Sequence, residues 1–209
     1  MRQIVKNIEP QSLTKHRAQK FADYDNYAEK DDVRRSMCLE QRGICCYCMG
    51  SITPDSLKMK IEHFQCQDDF PKKQLDYSNM LGACLGNMNR PEREQHCDTF
   101  KGNKHMSFSP SDSKRDIGAS IKYNNDGSIT SSNANLDKEI NEVLNLNTRK
   151  LIAARKGALD GFKEVIKRRG KLHKGTVEKW LADWEGTSHG NNLRPYCMVI
   201  AYWLRKKLN

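Results

Sequence analysis

Seven of the eight cysteines in this 209-residue chain lie between Cys38 and Cys97, and only Cys197 stands apart. Disulfide frameworks usually spread their bridges more widely, so thiols concentrated in one segment favour metal binding or simple burial. Within the segment, Cys45-Cys46-Tyr47-Cys48 places two sulfurs at the spacing of a zinc knuckle. A tetrahedral ion needs a second pair. Cys84 and Cys97 are the natural completers, although twelve residues separate them where a knuckle has two. Cys46, Cys66 and His96 are rival ligands. Buried, unmetallated thiols are the bland alternative, and a redox pair at Cys45 and Cys48 lacks the thioredoxin-like βαβ surroundings it would need.

No apolar run approaches the roughly 20 residues of a membrane-spanning helix, and the opening MRQIVKNIEPQSLTKHR has no apolar signal core. A soluble, cytoplasmic protein without membrane contact is expected, and a reducing compartment agrees with metal-bound thiols. The formal net charge of +10 makes nucleic acid the leading partner, though many Lys and Arg simply solvate helix faces.

Periodicity predicts an α+β fold. Residues 12–43 look mainly helical, with Asp31 or Asp32 as N-cap and Gly43 as stop. Leu57, Met59 and Ile61 alternate with polar residues as a half-buried strand does, predicting a hairpin that ends near His63. A polar loop at 64–78, a short structured turn from Tyr77 to Cys84 and an irregular insertion at 85–95 follow. Ile121, Tyr123 and Ile129 flank an Asn125-Asp126-Gly127 turn. Helical stripes come next: Leu136, Ile140, Val143 and Leu144; then Leu151 to Ile166, capped by Thr148; then one opened by Thr176 and one by Pro195. Trp180, Trp184 and Trp203 read as core residues. The chain divides into an N-terminal helical segment (1–43), a metal-bearing module (44–108), a linker with hairpin (109–134) and a C-terminal helical region (135–209).

Chemistry concentrates at Ile61-Glu62-His63-Phe64. An imidazole can deprotonate water while an adjacent carboxylate holds a divalent ion, a combination that phosphodiester hydrolysis uses well. The pair alone is a weak signal. The order that follows is more specific: Tyr77-Ser78-Asn79-Met80-Leu81, Cys84, then His96-Cys97-Asp98-Thr99-Phe100-Lys101-Gly102-Asn103.

From Cys45 to Asn103 the chain resembles the HNH endonuclease superfamily, whose motif runs Cys-x-x-Cys, an acidic-His pair, Asn-Leu, and Cys-x-x-Cys-Asn-x-x-Lys-Gly. The resemblance implies a ββα-metal module with structural Zn²⁺ on Cys45, Cys48, Cys84 and Cys97. It makes His63 the general base, Glu62 the first ligand of a catalytic Mg²⁺ or Mn²⁺, Asn79 the residue that steadies the loop and the base, Asp98 the second ligand and Lys101 a phosphate contact. The family more often has Asp at the position of Glu62, and Asn or His at that of Asp98; His96, or more remotely His105, are alternatives to Asp98. With its flanks included, the chain resembles the PtuB-type HNH nucleases of Septu and retron anti-phage defence systems. That likeness implies a nuclease, with DNA the favoured substrate, held by a PtuA-like ATPase of the ABC or OLD type and associated with a retron RNA/DNA complex. The competing function is a zinc-stabilised, non-catalytic nucleic-acid-binding or adaptor module.

Overall fold

The computed structural model describes residues 1–170, 172–188, 190 and 192–208. The N-terminal segment contains two helices, α1 (Gln11–Arg17) and α2 (Lys30–Glu40), where sequence periodicity predicts one nearly continuous helical run. Local bonding explains the break. Asp23 and Asn26 exchange side-chain and backbone hydrogen bonds (3.1 and 2.7 Å), and the Asn26 amide also reaches the Phe21 carbonyl at 2.9 Å. Short polar side chains that satisfy nearby backbone in this way compete with helix. Asp31 and Asp32 do not cap α2; they sit inside its first turn, favourable toward the helix dipole, and pair with Arg34 and Arg35. The helix stops as expected at Gly43, which takes φ +74° and donates its N–H to the Cys38 carbonyl.

Strand β1 (Lys60–His63) does end at His63, but its partner lies downstream. It pairs antiparallel with β2 (Met80–Ala83), placing Glu62 opposite Leu81 and His63 opposite Met80. The upstream hairpin expected from the alternation of Leu57, Met59 and Ile61 does not form. Lys58 and Met59 are turned by hydrogen bonds to the Asp55 carbonyl, leaving Leu57 exposed and burying Met59. Helix α3 (Cys97–Lys101) follows, so two paired strands lead through a loop into a short helix.

Gln41, at the end of α2, fastens this unit. Its side-chain amide donates to the carbonyls of Ile44 and Gly82 (2.9 and 2.8 Å), and its oxygen accepts from the Gly82 N–H at 2.6 Å. Gln41 is buried, so removing its amide strands backbone groups away from water. The Gln41→Ala variant is expected to lose about 2–4 kcal/mol in urea denaturation. A change near zero would show that the staple contributes nothing.

Beyond α4 (Ile117–Ser120), strands β3 (Ile121–Tyr123) and β4 (Ile129–Ser131) form the expected hairpin around Asp126-Gly127. Helix α5 (Ala134–Lys138) continues into a π-helical turn to Val143, burying Leu136, Ile140 and Leu144. Helices α6 (Arg149–Arg169), α7 (Lys174–Glu185) and α8 (Cys197–Leu208) complete the chain. Thr148 caps α6 by accepting from the Leu151 N–H. Thr176 lies within the first turn of α7 rather than before it, and Pro195 precedes α8. The three tryptophans gather edge-on around Phe162, with ring centroids 5.5 to 6.1 Å away.

One continuous apolar core joins the N-terminal segment, the cysteine-rich unit and the C-terminal helices. The backbone of the segment before α8 bonds directly to the knuckle: Leu193 N–H to Arg42 C=O, and Tyr196 N–H to Met49 C=O. Among the described residues, no helix is long and apolar enough to cross a membrane.

Candidate functional site

The knuckle is shaped by backbone N–H groups aimed at sulfur. Gly50 N–H points to Cys48 Sγ and Cys84 N–H to Cys45 Sγ, both at 3.3 Å, while the Cys45 N–H returns to the Gly50 carbonyl. The wide spacing between Cys84 and Cys97 is absorbed by a surface loop. Gly86 turns it at φ +55°, where a Cβ would collide with the His96 carbonyl at 2.1 Å, and the His96 N–H closes back on Gly86. Cys97 is therefore delivered beside Cys84. Its N–H bonds to Leu144 C=O, and its φ of +56° is a conformation that non-glycine residues seldom adopt.

Cys45, Cys48, Cys84 and Cys97 thus converge with all four sulfurs within 4.8 Å of one another. The Cys45–Cys97 and Cys48–Cys84 separations are 3.9 and 3.7 Å. Ligands 2.3 Å from a tetrahedral ion would lie about 3.8 Å apart, so the cluster fits a metal of zinc's size and preference. Four sulfurs this close, three of them on buried residues, cannot all be thiolates without a cation. Burial pushes the Cys97 thiol far up, while hydrogen bonds from the neighbouring thiols outweigh burial at Cys45 and draw it well below its ordinary range. Of the rivals, Cys46 and Cys66 lie outside the four-sulfur group. His96 flanks it, its Nδ1 3.2 Å from Cys97 Sγ and 4.0 Å from Cys84 Sγ. That position suits an imidazole that hydrogen-bonds a metal thiolate from outside.

Beside the cluster, β1 and α3 bring Glu62 and Asp98 together. Burial first, and then the neighbouring Asp98, push the Glu62 carboxyl well above the usual carboxylate range. At Asp98, burial is outweighed by hydrogen bonds from Glu62 and Lys60, which hold it below that range. Two carboxyls brought this close repel one another when both are ionised, a repulsion that a cation held between them would relieve. Glu62 Oε1 also accepts from Tyr47 Oη at 2.7 Å and pairs with Lys101 Nζ at 2.9 Å.

His63 is oriented by Gln74, whose carbonyl lies 2.9 Å from Nε2. A carbonyl only accepts, so the proton sits on Nε2 and the Nδ1 lone pair is free to act as a base. Tyr24 packs edge-on against the ring at 4.6 Å. Burial lowers the imidazole pKa from 6.5, opposed by the Gln74 hydrogen bond and the nearby Asp98 charge. Asn79 makes no hydrogen bond to the His63 ring. Its side chain joins Gln65 N–H, Gln65 C=O and Lys73 C=O (2.8, 3.0 and 3.2 Å), and its carbonyl receives the Phe64 N–H. It fixes the loop that carries Gln74, whose carbonyl meets the His63 ring.

Lys101 sits differently from a phosphate contact. Its ammonium is 1% exposed, bonded to Glu62 and to the His63 carbonyl, so it braces the carboxylate from inside. His105 is remote from Asp98 and pairs instead with Asp69.

Neither a family model nor a curated protein matches this sequence. The geometry of the site therefore carries the functional reading.

Three participants are absent from the residues the motif singles out. Lys60 pairs with Asp98, and its position two residues before Glu62 on a strand, hence on the same face, is the sequence signal for it. Tyr47 lies inside the knuckle, where it reads only as a spacer. Gln74 acts through its backbone, and a backbone carbonyl leaves no trace in residue identity.

Proposed function

We propose that the chain is a metal-dependent nuclease of HNH type that hydrolyses phosphodiester bonds, with the β1–β2–α3 unit serving as its ββα module. One observation carries this reading: Glu62 and Asp98, distant in sequence, are held between Lys101 and Lys60 beside a histidine whose Nε2 is anchored on the Gln74 carbonyl. The four-cysteine cluster supports it, because a structural Zn²⁺ there would tie the knuckle before β1 to the first residue of α3.

In this mechanism His63 Nδ1 removes the proton from the attacking water, while Nε2–H stays anchored on the Gln74 carbonyl. Glu62 and Asp98 would hold Mg²⁺ or Mn²⁺, which when bound supplies electrostatic stabilisation of charge on the phosphate oxygens. Lys101 and Tyr47 keep Glu62 aimed at Asp98, and Asn79 holds the loop under His63. DNA is the favoured substrate. The resemblance to PtuB-type nucleases extends the proposal to anti-phage defence in the cytoplasm, with a PtuA-like ABC or OLD-type ATPase and a retron RNA/DNA complex as partners.

The test is cleavage of supercoiled plasmid DNA in Mg²⁺ or Mn²⁺ by wild type and Glu62→Gln, with and without the product of a neighbouring gene. Metal-dependent cutting that the variant lacks is the expected result. Equal activity of the two proteins, or no activity on DNA or RNA under any condition, would overturn the reading.

A second reading, the non-catalytic nucleic-acid-binding or adaptor module, has one observation in its favour. Lys60 and Lys101 neutralise the two carboxyls, so the site is charge-balanced as it stands. Salt-sensitive DNA binding without cleavage is the result that would select it.

A further inference from the structure

Among the described residues, one more group of metal-ligating atoms converges outside the four-cysteine cluster and the Glu62–Asp98 pair. Cys66 Sγ, Asp69 Oδ2 and His105 Nε2 all lie within 4.8 Å of one another. The sulfur is 3.2 Å and the imidazole nitrogen 2.7 Å from the same carboxylate oxygen. Local structure builds this arrangement. The Phe70 N–H closes on the Cys66 carbonyl, a helical turn that puts Cys66 and Asp69 on one face. Phe70 packs on the His105 ring at 5.5 Å, and Asn103 bonds Asp68, joining the two segments a second time.

We propose that Cys66, Asp69 and His105 form a second transition-metal site, with Zn²⁺ as its natural occupant and a fourth position open. The chemistry of the donors carries the choice: a thiolate, an imidazole and a carboxylate suit zinc, whereas all-oxygen sets suit magnesium or calcium. Three protein ligands with an open position distinguish it from the closed four-sulfur cluster. Cys66 is buried while the Asp69 and His105 side chains are 53% and 61% exposed, so the open position faces solvent. As an exposed ion pair alone, Asp69 and His105 would contribute little.

The location gives the ion a role. Cys66 and Asp69 lie on the loop immediately after His63, and His105 lies just beyond α3, which carries Asp98. An ion here clips the loop that follows the base to the segment that follows the second carboxylate. The inference does not rest on the nuclease reading, because its test counts ions and needs no cleavage.

The experiment loads the full chain with Zn²⁺ and, separately, with Co²⁺ as a spectroscopic probe, in wild type, Cys66→Ser and His105→Ala. Bound metal per chain is measured after removal of free ion. Wild type should retain one ion more than either variant, and the Co²⁺ protein should lose a thiolate charge-transfer contribution in Cys66→Ser. Under a competing chelator the extra ion should leave before the ion of the four-cysteine cluster, since it has fewer protein ligands. Both variants should melt as cooperatively as wild type, because the cluster is largely at the surface. Equal metal content in wild type and both folded variants would overturn the proposal, as would a Cys66→Ser spectrum superimposable on wild type.

Discussion

Replacing His63 with alanine is expected to reduce metal-dependent plasmid cleavage by about 10²–10⁴-fold, the usual contribution of a positioned general base. The fold should survive. The ring gives up one hydrogen bond to the Gln74 carbonyl and its packing against Tyr24, so the melting temperature should fall by only a few degrees. The pH dependence makes the assignment sharper. Burial holds the imidazole below its ordinary pKa of 6.5, so the neutral base persists through neutral pH and the acid limb of the wild-type profile lies below that value. The residual activity of His63→Ala should not show this limb. Full activity in the variant, or a collapse of the fold accompanying the loss, would refute the division between a base that acts and a scaffold that holds it.

The residues that make up this site were more legible in the sequence than the path by which the chain assembles it. Cys45 and Cys48 follow from residue type at a knuckle spacing, with Cys84 and Cys97 as the natural completers, whereas the roles of Glu62, His63 and Asp98 follow from the resemblance to the HNH motif. The partner of β1 does not follow in this way. Alternation at Leu57, Met59 and Ile61 describes a surface with one face buried, and a turn anchored on Asp55 buries Met59 without forming a strand. The break between α1 and α2 was hidden for a related reason, since side-chain bonds from Asp23 and Asn26 override weak helical periodicity. Lys101 shows the opposite failure. A lysine at a motif position reads as a contact for substrate, but its burial against Glu62 is a tertiary fact that spacing cannot supply. The C-terminal helices were the easiest to read, because long apolar stripes with a cap such as Thr148 leave few alternatives.

Metal removal should produce the opposite pattern to His63→Ala, with structure lost first and activity lost as a consequence. Stripping the four-cysteine cluster with a strong chelator, or replacing Cys97 with serine, is expected to cost roughly 5 kcal/mol and lower the melting temperature by about 10–20 °C. This is less than the 10–16 kcal/mol or so associated with zinc-finger peptides, because the apolar core spans the whole chain and remains to oppose unfolding. Three features concentrate the loss near α3. The clustered sulfurs are mutually repulsive once ionised, Cys97 sits at φ +56°, and its residue opens the helix that carries Asp98. Without the ion, that backbone strain is opposed only by weaker contacts such as the bond to the Leu144 carbonyl and the His96 ring against the sulfur, so Asp98 should drift from Glu62 and the carboxyl pair should separate. Zn²⁺ added back should restore melting temperature and cleavage together, whereas Mg²⁺ alone should restore neither. If metal analysis showed the cluster emptied while the melting curve stayed where it was, the sulfurs would be a packed core rather than a fastening, and the orientation of Asp98 would have to come from α3 alone.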